Sequence, residues 1–310
     1  VHIPQRQVDF DRHLVETLAK NGPRYTSYPT ADRFHAGFNQ QHYQQALQQR
    51  NVGALNRPLS LYIHVPFCNT ICYYCGCNKI ITKDTSRADE YIDYLGRELD
   101  LIAPHLQGQH QLSQLHFGGG TPTFLNDEQL ARVFAHIKRH FEFSPRGEYS
   151  IEIDPRKVST DTVYRLRELG FNRMSVGIQD FDPQVQAAVN RIQSIEETQA
   201  VMNAARDAGF KSISVDVIYG LPHQTVDTMR HTVERIIEIS PDRLSVFNYA
   251  HLPERFKGQR QINEADLPSP ADKLAMLGNT INALGEAGYQ YIGIDHFAKP
   301  DDELAIAQRD

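Results

Sequence analysis

The sequence predicts an α/β protein in which a parallel sheet is covered by helices. Short runs rich in β-branched and aromatic residues alternate with longer segments of helical periodicity through most of the chain. Alternation over six or seven units is typical of parallel strands joined by crossover helices. The composition agrees with a packed core, because 40% of the 310 residues are hydrophobic and 23% are charged.

The boundaries of these elements follow from their end signals. Thr160 and Asp161 open one predicted helix and Thr225 opens another, while Gly170 follows a helix end. A Gln-rich stretch from residue 39 to 50 is also predicted to be helical. The predicted strands are Leu59–Val65, Gln114–Phe117, Tyr149–Ile153, Arg173–Ile178, Ser212–Ile218, Arg243–Phe247 and Tyr291–Ile294. The predicted helices are Arg87–Ile102, Asp127–Phe141, Asp161–Leu169, Ile195–Ala208, Val226–Ile239 and Pro270–Ala287.

Polar or glycine-rich residues lie at the end of every predicted strand. In parallel barrels the active site gathers at the carboxyl ends of the strands. Because all seven strand ends share this feature, the pattern favours a barrel with one ring-shaped site over an open doubly wound sheet. The strand ends supply Cys68, residues 118–121, Glu152 and Asp154, Gln179 and Asp180, Asp216, Asn248 and Tyr249, and Asp295 and His296.

Charge and hydropathy exclude several classes of protein. The net charge is −6 and there is no long basic run, which argues against a non-specific nucleic-acid binder. No window approaches the roughly 18–20 apolar residues of a membrane span, and the first 20 residues contain no signal-peptide core. We therefore expect a cytoplasmic protein without a nucleic-acid or membrane partner.

All four cysteines lie in a single short segment, at Cys68, Cys72, Cys75 and Cys77. A disulfide framework would spread its cysteines along the chain, so this cluster indicates a soft-metal site. Three thiolates spaced C-x3-C-x2-C can hold three irons of a 4Fe–4S cubane and leave the fourth iron open. Structural zinc is the alternative, but zinc sites usually split their ligands into two separated pairs, and no second pair exists here.

Other local patterns are weaker. The Gly118–Gly120 run lets backbone approach a ligand closely, and we expect its exposed amides to meet a carboxylate, although a plain glycine turn is the alternative. From the residues alone, Arg191 would be a surface residue and Asp216 a helix N-cap. A histidine pair with zinc-like spacing, at positions 136 and 140, lacks the intervening glutamate and is better explained as a solvated helix face.

The C-x3-C-x2-C spacing is the signature of radical S-adenosylmethionine enzymes, and the resemblance extends beyond it. From about Asn21 to the last residue, the chain resembles the oxygen-independent coproporphyrinogen III oxidase family. The segments that carry this resemblance are GPRYTSYPTA, LYIHVPFCNTICYYCGCNK, HFGGGTPTFL, SIEIDPR, VGIQDFDPQVQAAVNR, VDVIYGLPHQT and RLSVFNYAHLP.

The resemblance implies a fold and a domain organisation. The expected fold is an incomplete parallel (β/α) barrel of the radical S-adenosylmethionine type with an N-terminal extension. Residues 1–58 form the extension, which includes the substrate-site segment Gly22–Ala31, and residues 59–310 form the catalytic domain. Family members continue into a helical C-terminal domain, whereas this chain stops inside a predicted helix, so we expect that domain to be missing.

The resemblance also implies cofactors and site residues. The expected cofactors are a 4Fe–4S cluster on Cys68, Cys72 and Cys75, with Cys77 not a ligand, and two molecules of S-adenosyl-L-methionine. Residues matching the first cofactor molecule are Tyr62, Gly119 and Glu152. Residues matching the second are Tyr74, Gly120, Thr121, Gln179, Arg191, Asp216 and Ala250.

The implied reaction is oxidative decarboxylation of two propionates of coproporphyrinogen III to vinyl groups, giving protoporphyrinogen IX through a 5′-deoxyadenosyl radical. Arg24 is the candidate propionate contact, because a guanidinium pairs with a carboxylate bidentately. We expect a monomer and an electron donor that the sequence does not identify. The alternative is a haem chaperone of the same superfamily, but Cys77 and the RYTSYP segment favour the oxidase.

Overall fold

The computed structural model describes residues 10–18, 29–49, 58–106, 108 and 110–310. The helices are α1 (Arg12–Leu18), α2 (Gln40–Gln49), α3 (Arg87–Ile102), α4 (Asp127–His140), α5 (Thr160–Leu169), α6 (Pro183–Ala188), α7 (Ile195–Asp207), α8 (Val226–Ile239), α9 (Pro270–Glu286) and α10 (Glu303–Arg309). The strands are β1 (Leu59–Val65), β2 (Phe67–Cys68), β3 (Ile80–Ile81), β4 (Gln111–Gly119), β5 (Glu142–Ile153), β6 (Arg173–Gln179), β7 (Ser212–Tyr219), β8 (Arg243–Asn248), β9 (Gln290–Gly293) and β10 (His296–Ala298). Short 3-10 turns cover Ala31–Arg33, Ala103–His105, Pro122–Phe124, Pro155–Lys157, Lys257–Gln261 and Glu264–Asp266.

One eight-stranded sheet organises the described residues, in the order β1-β4-β5-β6-β7-β8-β10-β9. Neighbouring strands from β1 to β8 pair in parallel, and helices α3, α4, α5, α7 and α8 lie in the crossovers between them. Strands β2 and β3 form a separate parallel pair, and the loop between them carries most of the cysteine segment. This architecture confirms the predicted parallel α/β fold.

The two faces of the sheet differ in polarity. On one face, residues such as Ile63, Phe117 and Ile151 are buried in the core. The opposite face carries polar side chains, and the strand register places Tyr62 beside His116 and His116 beside Ser150. We call this second side the polar face.

The prediction that Tyr291–Ile294 forms a seventh parallel strand is wrong. Strand β9 pairs only with β10 among the described residues, and β10 runs antiparallel to β8. Ile294 and Asp295 join the two short strands with φ angles of 47° and 69°. A two-residue turn with positive φ at both positions is usually built from Asn-Gly, so an Ile-Asp turn gives no hairpin signal in the sequence.

Other differences are local. Strand β5 begins at Glu142 rather than at the predicted Tyr149. The first half was missed because it contains Pro145 and Gly147, residue types that are rare in strands. The N-cap of α5 is Ser159, whose side chain accepts from the Thr162 amide, so Thr160 is the first helical residue. Helix α6 was not predicted. Helix α2 confirms the prediction for the Gln-rich stretch.

Helix α10 lies at the amino ends of the strands. Arg243, the first residue of β8, donates to both carboxylate oxygens of Asp302 at 2.9 Å. Arg173, the first residue of β6, pairs with Glu303 and, at 3.2 Å, with Glu148. These ion pairs satisfy the charges at one end of the polar face and leave its other end to the site.

In the described part of the chain, no helix combines the length and apolar character needed to cross a bilayer.

The core predicts a specific stability effect. Phe117 is fully buried and its ring packs against Phe134 and Phe171, with centroid distances of 5.7 and 5.2 Å. Phe117→Ala should lower the free energy of unfolding by about 3–5 kcal/mol, because it removes buried contacts and leaves a cavity. Leu101→Ala, at a site that is 72% exposed, is the control and should change it by less than about 0.5 kcal/mol. Equal midpoints of chemical denaturation for the two variants would contradict this placement of the core.

Candidate active site at the carboxyl ends of the strands

A cavity of about 280 Å³ opens where the parallel strands end. It lies between the cysteine loop, the turn after β4 and the carboxyl ends of β5, β6 and β7. Most of the predicted site residues line it. They are Cys68, Cys72, Tyr74, Cys75, Gly119, Gly120, Thr121, Glu152, Gln179, Arg191 and Asp216.

Three predicted residues are not in this lining. Tyr62 is 54% exposed, and its ring stacks on His116 beside a second groove on the polar face. Ala250 is exposed, and Gln259 ties it to the cysteine loop by donating both to the Ala250 carbonyl at 3.2 Å and to the Tyr74 carbonyl at 3.0 Å. Arg24 lies outside the described residues, as does most of the segment Gly22–Ala31.

The cysteine loop brings four thiols to the cavity wall. Burial raises the pKa of Cys68, although a contact of 3.6 Å with the Thr121 hydroxyl opposes this effect. A hydrogen bond with Cys77 lowers the pKa of Cys75 below its ordinary value, and the nearby charge of Lys79 acts in the same direction. The same bond raises the pKa of Cys77. Cys75 is therefore favoured as the thiolate of this pair.

The glycine turn after β4 packs directly on this loop. A Cβ atom at Gly120 would lie 2.7 Å from the Phe67 carbonyl oxygen and 2.9 Å from the Cys68 sulfur. The amides of Gly120 and Thr121 donate to the Val65 and Phe67 carbonyls at 2.8 and 2.9 Å. The expectation that exposed amides of this turn bind a carboxylate is therefore wrong for these two groups, because the turn uses them to hold the loop.

Glu152 lies at the centre of a hydrogen-bond chain on the polar face. Its carboxylate contacts His116 Nε2 at 3.1 Å and accepts from the Gly119 amide at 3.3 Å. The other ring nitrogen of His116 lies 2.6 Å from the Ser150 hydroxyl. Sequence reasoning missed His116, whose only signal was its place on the polar alternation of β4.

Asp216 lies within β7, so the N-cap alternative is wrong. Its carboxylate accepts from the Ser175 hydroxyl at 3.1 Å. Burial raises the pKa of Asp216 to about 6, and the charge of Glu152 adds to this effect. Gln179, on the neighbouring strand, has a φ of 70°, which sets its backbone apart from the rest of β6.

Two arginines flank Cys72. Arg191 is only 7% exposed, so the surface alternative is wrong, and its guanidinium lies 3.7 Å from the Cys72 sulfur. Arg156 lies 3.8 Å from the same sulfur. Asp154 pairs with both arginines, at 2.6 Å from Arg156 and 3.4 Å from Arg191. Burial alone would raise the pKa of Asp154, but the Arg156 hydrogen bonds and the Arg191 charge hold it below its ordinary value. Sequence reasoning missed Arg156, which follows the end of β5 by three residues.

The histidine pair of α4 packs against α3. His140 contacts the Asp100 carboxylate at 2.7 Å, and the His136 ring lies 2.6 Å from where a Cβ atom of Gly96 would be. Both histidines are partly buried at this helix contact, so the prediction of a solvated helix face is wrong for them.

The residues of the cavity fit an iron–sulfur cluster and S-adenosylmethionine. In the described part of the chain, no three Cys, His, Asp or Glu side chains converge closely enough to hold a single metal ion. The cavity nevertheless offers four thiols on one loop, three of them in the C-x3-C-x2-C spacing, and thiolates are the ligand type that clusters require. The Nε of Arg191 is buried without a hydrogen-bond partner, which fits the carboxylate of an amino acid.

The fold and the site together define an incomplete α/β barrel with a cysteine-rich loop at the carboxyl ends of its parallel strands. The sequence matches the family described as the Radical SAM superfamily over residues 62–236. The chain belongs to this superfamily, whose cofactors are a 4Fe–4S cluster and S-adenosylmethionine.

Its similar proteins are more specific. The chain is 53% identical over 305 residues to the oxygen-independent coproporphyrinogen III oxidase of Pseudomonas aeruginosa, covering 98% of this chain and 66% of that protein. It is 51% identical to the protein of the same name from Escherichia coli, also covering 98% of this chain and 66% of that protein.

A solved structure supports the same relationship. The coproporphyrinogen III oxidase of Escherichia coli, described as a radical SAM enzyme, matches with a TM-score of 0.91 and 50% identity, over 98% of this chain and 67% of that chain. The chain thus spans about two thirds of the length of these relatives. The predicted resemblance and fold class are confirmed.

Gly120 generates the first prediction about the site. Gly120→Ala should prevent most iron incorporation on anaerobic reconstitution, because the added Cβ displaces the Phe67 carbonyl and the Cys68 sulfur. Gly285→Ala, a change with no atom within 4 Å of the new Cβ, is the matched control and should incorporate iron normally. Full iron content in Gly120→Ala would show that the turn does not position the cysteine loop.

Asp216 generates a prediction about pH and stability. Its folded-state pKa of about 6 lies above the ordinary value of 3.8, so its contribution to stability is present below pH 4 and is lost as the pH rises through 6. Asp216→Asn should therefore raise the free energy of unfolding by about 2 kcal/mol more at pH 8 than at pH 4. Thermal denaturation of the metal-free chain at both pH values measures this difference. Asp100→Asn is the control, because hydrogen bonds with His140 and Arg139 lower the pKa of Asp100 below its ordinary value, so the effect of this substitution should differ little between pH 4 and pH 8. If the stability gained by Asp216→Asn did not increase with pH, the result would contradict this placement of Asp216.

Proposed function

We propose that this chain catalyses the oxygen-independent oxidative decarboxylation of two propionate groups of coproporphyrinogen III, giving the vinyl groups of protoporphyrinogen IX. The observation that carries the proposal is that one cavity gathers the C-x3-C-x2-C thiols with the strand-end residues expected to bind S-adenosylmethionine. The names of the similar oxidases support the choice of substrate.

Each group of residues has a proposed role. Cys68, Cys72 and Cys75 hold three irons of the cluster. When bound, the cluster and S-adenosylmethionine supply a 5′-deoxyadenosyl radical, the chemistry that the protein positions and protects. Glu152, oriented by His116 and the Gly119 amide, binds the first cofactor molecule, with Tyr62 beside it.

Gln179, Arg191 and Asp216, from β6, from the loop after α6 and from β7, would hold the second cofactor molecule. The unpaired Nε of Arg191 would be available to donate to its carboxylate. The other expected contacts on this side are Tyr74, Gly120, Thr121 and Ala250. In the substrate, a hydrogen atom of the propionate β-carbon would pass to the 5′-deoxyadenosyl radical, giving 5′-deoxyadenosine. Loss of CO2 and transfer of one electron to a separate electron acceptor would then complete each vinyl group.

The negative charge of the substrate matches the positive side chains that line the cavity, although the protein as a whole is also negatively charged. The chain carries a net charge of −6, whereas coproporphyrinogen III has four carboxylates. Lys79, Arg156, Lys157 and Arg191 line the cavity and supply local positive charge. Arg24 remains the proposed propionate contact of the N-terminal extension.

The setting of the protein completes the proposal. We place it in the cytoplasm, where a reducing environment keeps the four cysteines as thiols. We propose a monomer that takes electrons from a separate donor. The domain assignment also remains a proposal, with residues 1–58 as an extension and residues 59–310 as the catalytic domain.

The test is anaerobic reconstitution with iron and sulfide, followed by reduction and addition of S-adenosylmethionine and coproporphyrinogen III. We expect 5′-deoxyadenosine and CO2, together with two bound equivalents of S-adenosylmethionine per chain. Asp216→Ala should reduce that number toward one while retaining the cluster. Haem binding without cleavage of S-adenosylmethionine would instead favour the chaperone function.

The cysteine roles predict a contrast within one loop. Replacing Cys68, Cys72 or Cys75 by Ala should abolish the cluster and all cleavage of S-adenosylmethionine, because each removes one iron ligand. Cys77→Ala is the matched control and should keep the cluster. Iron analysis and the visible absorption of the reconstituted variants measure this contrast. Colourless protein containing stoichiometric zinc after anaerobic purification would refute the assignment.

A further inference from the structure

The buried charges beside Cys72 do not balance. Arg156 and Arg191 supply two positive charges, and Asp154 supplies one negative charge between them. The exposed fractions of the three side chains are only 14%, 8% and 12%, so solvent screens them weakly. One positive charge is therefore left over next to the Cys72 sulfur.

The two arginines are held differently. Arg191 donates to the Gly177 carbonyl at 2.7 Å and keeps a buried Nε without a partner, which leaves it free to meet a ligand. Arg156 is held by Asp154 through two hydrogen bonds. Its Nε donates to one carboxylate oxygen at 2.9 Å, and its Nη2 donates to the other at 2.6 Å. This two-point pairing fixes the guanidinium plane, and Nη2 of the same group lies 3.8 Å from the Cys72 sulfur.

We propose that Arg156, fixed by Asp154, is a positioning and charge-setting residue that raises the reduction potential of the cluster through Cys72. The inference rests on the proposed cluster ligands. One-electron reduction adds a negative charge to the cluster, and a nearby cation or an N–H group directed at a ligand sulfur stabilises that charge. The negative charge of Asp154 lowers the reduction potential, so the potential depends on the balance between Arg156 and Asp154.

The other charged groups of the cavity do not remove this asymmetry. Lys79 donates to backbone carbonyls of Cys75 and Cys77 at 3.1 and 3.4 Å, and its charge acts on Cys75 rather than on Cys72. Glu152 is engaged by His116 and Gly119, and Asp216 by Ser175. Among the described residues, the arginine pair is the cationic feature in hydrogen-bonding range of the Cys72 sulfur, whereas Lys79 acts on Cys75.

The experiment is a redox titration of the full chain after anaerobic reconstitution, without S-adenosylmethionine so that Arg191 keeps its own contacts. The midpoint potential is followed by the electron paramagnetic resonance signal of the reduced cluster, with dithionite as reductant. Arg156→Gln removes the positive charge and should shift the midpoint to a more negative value. Asp154→Asn removes the opposing negative charge and should shift it to a more positive value. Arg156→Lys keeps the charge and should give a smaller negative shift than Arg156→Gln.

Opposite signs separate this role from a structural one, because a general disturbance of the loop would move both variants in the same direction. Arg230→Gln is the matched control, since it also removes one arginine that pairs with carboxylates, on the exposed face of α8. Its midpoint should equal that of the unmodified chain. Shifts of the same sign for Arg156→Gln and Asp154→Asn, or shifts no larger than in Arg230→Gln, would overturn the inference. If Arg156→Gln loses iron, the midpoint potentials of Arg156→Lys and Asp154→Asn test the inference instead, and they should shift in opposite directions. Failure of the unmodified chain to assemble a cluster would instead refute the proposed function.

Discussion

The parallel hydrogen-bond register from β1 to β8 determines which side chains meet in the cavity. Tyr62 pairs with His116, Glu152 with Ser175, and Gly177 with Asp216. Side chains two residues apart on a strand share a face, so this register brings the site residues to one end of the polar face. A shift of one residue in any of these ladders would turn its site residue into the core. The site therefore depends on the same backbone pairing that builds the sheet.

The cysteine loop depends on this register through the turn after β4. Amides of that turn donate to carbonyls at and just before β2, and the absence of a side chain at Gly120 lets the two backbones touch. The loop then places Cys72 against arginines that come from the ends of β5 and α6. The arginines beside the thiols and the carboxylates of Glu152 and Asp216 thus line one small cavity, an arrangement suited to a charged cofactor. At the other end of the polar face, carboxylates at the start of α10 balance the charges of the two arginines through ion pairs.

Much of this arrangement could be predicted from the sequence because it depends on local patterns. Strands β1 and β6 begin at the predicted residues, as do α3, α4, α7 and α8, since periodicity and capping residues mark them clearly. The cysteine spacing and the strand-end residues identified most of the cavity lining. The β9–β10 hairpin could not be predicted, because its Ile-Asp turn adopts positive φ without the usual residues and its strands are only four and three residues long.

The residues that sequence reasoning missed act through contacts between distant strands. His116 matters because β4 pairs with β5, and Arg156 matters because a 3-10 turn directs it back toward Cys72. Neither relationship is visible in a local pattern. The same holds for Gln259, which joins two backbone segments that are far apart in the chain.

The most direct test of the central claim is the electron paramagnetic resonance spectrum of the reduced, reconstituted chain before and after S-adenosylmethionine is added. Three thiolates from one loop would leave one iron of a cubane without a protein ligand, and the cavity that these thiols line is the proposed place for the cofactor. The account predicts the signal of a reduced 4Fe–4S cluster whose g values shift when S-adenosylmethionine binds. A cluster signal that saturating S-adenosylmethionine leaves unchanged would contradict it.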